Sequence, residues 1–128
     1  MAMSVKQGKI RALVVEDELL IAIDLEELMK GLGIEVCGVV SNAKSAMAAA
    51  MSHQPDVVLM DVYLGGVREG IEAARWLRDV CDTSVVFVTA HNDGETLRRI
   101  REVAPESPIL GKPVYPEMLA EAVSHAVH

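Results

Sequence analysis

Val57-Val58-Leu59-Met60-Asp61 is an unbroken apolar run that closes on a carboxylate. Two further apolar runs end the same way on polar groups, Leu13-Val14-Val15-Glu16-Asp17 and Val85-Val86-Phe87-Val88-Thr89, and a fourth ends at Leu110-Gly111-Lys112-Pro113. Runs of this length with no polar alternation are expected of strands covered on both faces, as in a parallel sheet. If the four lie parallel in one sheet, their carboxyl ends share one edge. Glu16, Asp17, Asp61, Thr89 and Lys112 then converge there. Three carboxylates, a hydroxyl and an ammonium in one place suit a divalent cation and a phosphoryl group.

The segments between these runs have helical periodicity. After the strand Ile10–Val15, apolar residues recur at Ile21, Leu25, Leu28, Met29 and Leu32, intervals that define one helix face. Asp17 or Glu18 stands at its start, and Gly31 and Gly33 at its end. A second strand, Ile34–Val40, is followed by Ser41 or Asn42 as cap of a helix over Ala43–Ser52, with Met47 and Met51 as core filling. Pro55 separates that helix from the strand Asp56–Met60. The glycines of Leu64-Gly65-Gly66-Val67 mark a loop before a helix over Glu69–Val80, which buries Ile71, Ala74, Leu77 and Cys81. Ser84–Val88 is the fourth strand. Asn92 or Asp93 caps a helix through Leu97, Ile100 and Val103 that Pro105 ends, and Pro108–Leu110 is a short fifth strand. The last helix begins near Pro116 and carries Met118, Leu119, Ala122, Val123 and Ala126 on one face.

Strands joined through helices imply right-handed crossovers and a parallel sheet. The expected fold class is α/β: a doubly wound, flavodoxin-like (βα)5 domain with a five-stranded parallel sheet in three layers. The ligand site of such a fold lies beyond the carboxyl ends of the strands. The length of 128 residues fits one domain over 1–128, with its core at about 9–127 and no output domain. A hydrophobic content of 51% permits a sizeable core and argues against disorder. A net charge of −7 argues against DNA binding through phosphate contacts, which need an excess of Lys and Arg. No apolar stretch is long enough to cross a bilayer, and the polar N-terminus lacks the apolar region of a signal peptide. Cys37 and Cys81 have no metal-ligand spacing and read as buried thiols in a reducing, cytoplasmic setting.

The four strand-end motifs, Val14-Val15-Glu16-Asp17, Leu59-Met60-Asp61-Val62, Phe87-Val88-Thr89-Ala90 and Gly111-Lys112-Pro113, resemble those of a response-regulator receiver domain. Each alone is weak. In this order, with separations of 44, 28 and 23 residues between Asp17, Asp61, Thr89 and Lys112, they are specific together, and the resemblance covers essentially the whole chain. It implies a two-component phosphorelay in which Asp61 accepts a phosphoryl group from a histidine kinase or phosphotransfer protein. It further implies Mg2+ (or Mn2+) held by Asp17, Asp61, the backbone carbonyl of Tyr63, and Glu16 directly or through a water. Thr89 and Lys112 would contact phosphoryl oxygens, Ala90 would leave room for them, and Lys112-Pro113 is a candidate cis peptide. The protein would not be an enzyme beyond promoting its own phosphorylation and dephosphorylation. The loop from Asp61 to Gly66, followed by Gly70-Ile71-Glu72, is similar to receivers of alphaproteobacterial stand-alone regulators and hybrid kinases.

Ile109 departs from the pattern, since many receivers carry an aromatic residue three positions before the lysine that reorients with the threonine. Signal propagation must differ here, and Tyr115 is a candidate participant. Tyr63 and His91, two positions after Asp61 and Thr89, flank the phosphoryl group by resemblance and would tune its lifetime. The output face is expected on the fourth helix, fifth strand and fifth helix, where Arg98, Arg99 and Arg101 form a basic cluster suited to an acidic downstream protein; the bland reading is a solvated helix face. Homodimerisation on activation is a further expectation.

Three rival readings fit these residues less well. A phosphohydrolase of haloacid-dehalogenase type needs a second acid two residues after the nucleophile, where this chain has Tyr63. A flavodoxin-like cofactor binder needs a phosphate loop after the first strand, where Glu16-Asp17-Glu18 would repel phosphate. A phosphorylation-independent adaptor would normally have lost one of the acids or the lysine. His53, His91, His125 and His128 suggest no metal site and read as surface residues, His91 excepted for its place near Thr89.

Overall fold

A computed structural model describes residues 9–90 and 93–127. Five strands, β1 (Arg11–Val15), β2 (Glu35–Val40), β3 (Val57–Asp61), β4 (Ser84–Thr89) and β5 (Ile109–Gly111), alternate with five helices. These are α1 (Leu19–Gly31), α2 (Ala43–His53), α3 (Glu69–Cys81), α4 (Gly94–Val103) and α5 (Pro116–Val127). The strands form one parallel sheet in the order β2-β1-β3-β4-β5. The expected doubly wound, three-layer α/β fold is present.

Successive strand residues point to opposite sheet faces, and each face receives its own helices. Leu13 and Val15, Val58 and Met60, and Val85 and Phe87 pack with Ala46 and Ala50 of α2, Ile71, Ala74 and Leu77 of α3, and Ile100 of α4. Their neighbours Ala12 and Val14, Val57 and Leu59, and Val86 and Val88 pack with Leu25 and Met29 of α1 and with Leu119 and Val123 of α5. Central strands buried on both faces have no position for a polar side chain until they end. That is why the apolar runs are continuous, and why polar groups gather at the strand ends.

The sheet order places the site. The chain leaves β1 toward the β2 edge, then crosses back to β3 on the other side of β1. Helices depart in opposite directions from the ends of β1 and β3, and a cleft opens between them. Glu16 and Asp17 follow β1, and Asp61 ends β3.

Several expectations change in detail. Glu18 is the N-cap of α1 and makes no side-chain cap; its backbone N–H instead donates to Glu16 Oε2 at 3.1 Å. Asn42 and Asp93 do cap α2 and α4, accepting from the N–H groups of Ser45 and Thr96. Asn92, the alternative cap of α4, lies outside the described residues. Met51 is exposed, as is Met118, because each lies at the solvent edge of its helix face. Cys37 and Cys81 are half-buried, packed against the α2–α3 side of the core; burial pushes the Cys37 thiol pKa up. The Lys112-Pro113 bond is cis.

Candidate functional site

Asp61 is 5% exposed and Glu16 is 2% exposed, while Asp17 reaches solvent. One carboxylate oxygen from each of the three lies within 4.8 Å of the others. Lys112 approaches from the loop after β5, with Nζ 2.7 Å from Glu16 Oε1 and 3.3 Å from Asp61 Oδ2. Its reach is fixed by backbone, since the Lys112 N–H donates to the Thr89 carbonyl at 3.0 Å. Thr89 ends β4, is buried, and pairs in register with Gly111, while Asp61 pairs with Val88. The structure thus brings Glu16, Asp17, Asp61 and Lys112 together, with Thr89 at the end of the adjacent strand.

Three carboxylates face one ammonium, so the site carries excess negative charge. Burial drives the pKa of Glu16 up; the hydrogen bond from Lys112 opposes this and the charge of Asp61 adds to it. For Lys112, burial favours the neutral amine, yet its bond to Glu16 and the charge of Asp61 prevail and hold its pKa above the ordinary value.

The donor set fits a small, hard divalent cation. Mg2+ prefers oxygen ligands at about 2.0–2.1 Å, so two oxygens on one ion lie no more than about 4.2 Å apart. The three carboxylates need to draw in by at most about 0.6 Å to meet that limit. Asp17 is already oriented toward the cleft, because Oδ2 accepts from the Gly65 N–H at 2.9 Å. That bond, rather than a helix cap, is what Asp17 does locally.

The β3–α3 loop completes the floor. The Tyr63 N–H donates to Asp61 Oδ1 at 3.3 Å. The Tyr63 ring is half-buried, and its hydroxyl lies 3.5 Å from Thr96 Oγ1 in α4. His91 lies outside the described residues. Gly70, the second residue of α3, backs directly onto the end of β3: a Cβ there would lie 1.9 Å from the Asp61 carbonyl oxygen. The sequence marks Gly70 only as part of Gly70-Ile71-Glu72 and does not mark Thr96. A glycine inside a helix start was the available signal for the first, and a threonine three residues after a capping aspartate for the second.

The expected output residues are only partly as anticipated. Arg98 pairs with Glu102 at 2.8 Å, and Arg99 pairs with Glu72 of α3 and with Glu102. Arg101 is exposed and has no ion-pair partner among the described residues. The basic cluster is therefore largely neutralised by its own carboxylates. Ile109 is half-buried against the α3–α4 core, and Tyr115, just before α5, is 56% exposed.

An apolar groove of about 760 Å3 adjoins the site. Ile21, Leu25 and Leu28 of α1 line one wall, Pro113 and Val114 the other, and Lys112 and Glu18 stand at its edge. It is separate from the carboxylate cluster.

The response regulator receiver domain family model matches residues 12–124. The phyllosphere-induced regulator PhyR of Methylorubrum extorquens is 34% identical over 117 residues, 90% of this chain and 42% of the relative. The transcriptional regulatory protein PdtaR of Mycobacterium tuberculosis is 34% identical over 117 residues, 91% of this chain and 56% of the relative. The chain thus spans about half the length of these relatives. Among solved structures, the signal receiver domain of a modulated diguanylate cyclase from Desulfovibrio desulfuricans superposes with a TM-score of 0.85 at 35% identity, covering 92% of this chain and 93% of that one.

Proposed function

The chain belongs to the response-regulator receiver family, and we propose that it works there as a phosphoacceptor switch with Asp61 as the acceptor. The observation that carries this reading is the surroundings of Asp61: a buried carboxylate with two further carboxylates in reach and an ammonium at 3.3 Å. An isolated buried acid would be costly. A buried acid next to a fixed cation and a cation-binding cluster is arranged for charge to arrive and leave.

In the proposed reaction, one Asp61 carboxylate oxygen attacks the phosphorus of a phosphohistidine on a kinase or phosphotransfer protein. A P–O bond forms and the P–N bond breaks; the imidazole leaves with the electron pair and takes up a proton. Water later cleaves the acyl phosphate to carboxylate and inorganic phosphate. Asp17, Asp61, Glu16 and the Tyr63 carbonyl would hold Mg2+ or Mn2+. Bound there, the ion would offset the mutual repulsion of the carboxylates and the charge of the phosphoryl oxygens. Lys112 neutralises one phosphoryl oxygen as a point charge, and the Thr89 hydroxyl donates to another. Ala90, exposed beside Thr89, leaves space for them. Tyr63 and His91 tune the lifetime.

The apolar groove between α1 and the Pro113–Val114 segment has Lys112 at its edge, and Lys112 reaches Asp61 at 3.3 Å. The groove offers a partner the contact area that the polar site lacks. Downstream, the domain signals by binding a protein partner through α4, β5 and α5. No helix among the described residues is long and apolar enough to cross a membrane.

Intact-mass measurement after incubation with Mg2+ and acetyl phosphate tests the reading. Wild type gains one phosphoryl group and Asp61→Asn gains none. Absence of gain, together with no release of inorganic phosphate above the donor's own hydrolysis, would refute it and leave a phosphorylation-independent adaptor.

A further inference from the structure

Thr96 is a polar side chain with no exposed surface, set in the first turn of a helix that is otherwise strongly polar outside and apolar inside. Packing alone would be served as well by valine, which is nearly the same shape. The hydroxyl has specific partners. Thr96 Oγ1 donates to Asp93 Oδ2 at 3.0 Å, while the Thr96 N–H donates to Asp93 Oδ1 at 2.9 Å. A threonine hydroxyl has one proton, and an ionised carboxylate only accepts. With that proton committed to Asp93, Thr96 Oγ1 can meet the Tyr63 hydroxyl only as an acceptor, so Tyr63 is the donor. When the two hydroxyls close to bonding distance, the order runs Tyr63 O–H to Thr96 O–H to the Asp93 carboxylate. Each bond in such a chain polarises the next. The two bonds from Thr96 also hold the Asp93 carboxyl below its ordinary pKa.

The other end of Tyr63 is tied to the acceptor, since its backbone N–H donates to Asp61 Oδ1 at 3.3 Å. One residue thus bridges the Asp61 carboxylate and the N-cap of α4. These two links are long. The hydroxyl pair at 3.5 Å lies beyond the usual O–H···O range of about 2.5–3.0 Å, so the contact has slack that a small loop movement would close or open. Converting the Asp61 carboxylate to an acyl phosphate changes the charge and lone pairs of the group that holds the Tyr63 N–H. Ile109, packed on the same side of the sheet, has no polar atom with which to relay such a change.

We propose that Thr96 is a positioning residue that clasps Tyr63 to the N-cap of α4, and that this clasp carries the state of Asp61 to α4. The inference rests on the phosphoacceptor reading of Asp61 and names how that site is read out. Its parts come from two loops and a helix that share no sequence motif.

The test compares wild type, Thr96→Val and Thr96→Ser by amide hydrogen exchange over α4, with and without Mg2+ and acetyl phosphate, while intact mass records phosphoryl occupancy. At equal occupancy, phosphorylation is expected to shift exchange in α4 of wild type and Thr96→Ser by about three- to tenfold, the worth of one hydrogen bond. Thr96→Val loses that shift, and adding Tyr63→Phe to it changes nothing further. A wild-type shift in phosphorylated Thr96→Val, or its loss in Thr96→Ser as well, overturns the clasp. Should Thr96→Val fold poorly, Tyr63→Phe alone decides, since an unaltered α4 response there is equally fatal. If wild type gains no phosphoryl group at all, the phosphoacceptor reading fails first, and the clasp falls with it.

Discussion

Gly70→Ala should be strongly destabilising, although alanine is the better helix former. An ideal Cβ on Gly70 lies 1.9 Å from the Asp61 carbonyl oxygen, and 2.9 Å from both the Asp61 carbonyl carbon and the Val62 Cα. All three obstacles are backbone atoms at the end of β3, so no side chain can swing away. A relaxed carbon–oxygen contact needs about 3.3 Å. The first turn of α3 must therefore retreat by more than about 1 Å. That retreat stretches the bond from the Gly70 N–H to the Val62 carbonyl, now 2.9 Å, and loosens Ile71 and Ala74 in the core. Overpacking of this kind costs about 1–3 kcal/mol, and a lost hydrogen bond adds about 0.5–1.5 kcal/mol. Replacing glycine in a helix returns at most about 1 kcal/mol. After that full return the net loss is about 0.5–3.5 kcal/mol, centred near 2 kcal/mol.

Gly94→Ala is the matched control. Gly94 opens α4 as Gly70 nearly opens α3, yet among the described residues nothing lies within 4 Å of its Cβ position. Alanine there should be neutral or stabilising by up to about 1 kcal/mol. Urea unfolding separates the two: at an m-value of about 1–3 kcal/mol/M, a loss of about 2 kcal/mol in Gly70→Ala lowers the midpoint by about 0.7–2 M while Gly94→Ala does not. A Gly70→Ala midpoint within about 0.3 M of wild type, or equal losses in both variants, would refute the close-approach argument.

Two other outcomes are expected. Mg2+ at about 100 times its dissociation constant should raise the unfolding free energy of wild type by about 2.7 kcal/mol over EDTA, and Asp17→Asn should lose most of that gain; equal wild-type midpoints in both buffers would remove the cation site. Because its bonds from Thr96 depress the Asp93 pKa, the cap's contribution is full above the ordinary carboxyl value of 3.8 and is lost as pH falls through the lower folded-state value. The stability gap between wild type and Asp93→Ala should therefore be constant near neutrality and close only in strong acid, and a gap that already narrows at pH near 6 would contradict the bond pattern.

Much of this was legible in the sequence, for identifiable reasons. A strand covered on both faces must be apolar along its whole length, so the runs ending at Val15, Asp61 and Thr89 announced a parallel sheet, and with it one edge for their polar ends. Helix starts were also local: Asn42 and Asp93 cap within three residues of themselves. Where the local rule failed, a distant group had intervened. Asp17 was a candidate cap for α1, but the Gly65 N–H, 48 residues away, takes its carboxylate. The arginines of α4 looked like a free basic patch until Glu72 of α3 was brought beside Arg99.

The sequence by itself determined the layering and the edge on which Glu16, Asp17, Asp61, Thr89 and Lys112 meet, because period and burial are properties of single segments. Only the tertiary structure decided which side chains touch across segments. Lys112 sits closer to Glu16 than to Asp61, the α3 backbone presses on the Asp61 carbonyl at Gly70, and the Tyr63 hydroxyl points at Thr96. Those contacts depend on how far each helix stands from the sheet. That distance is set by the packing of the whole core, and no local pattern encodes it.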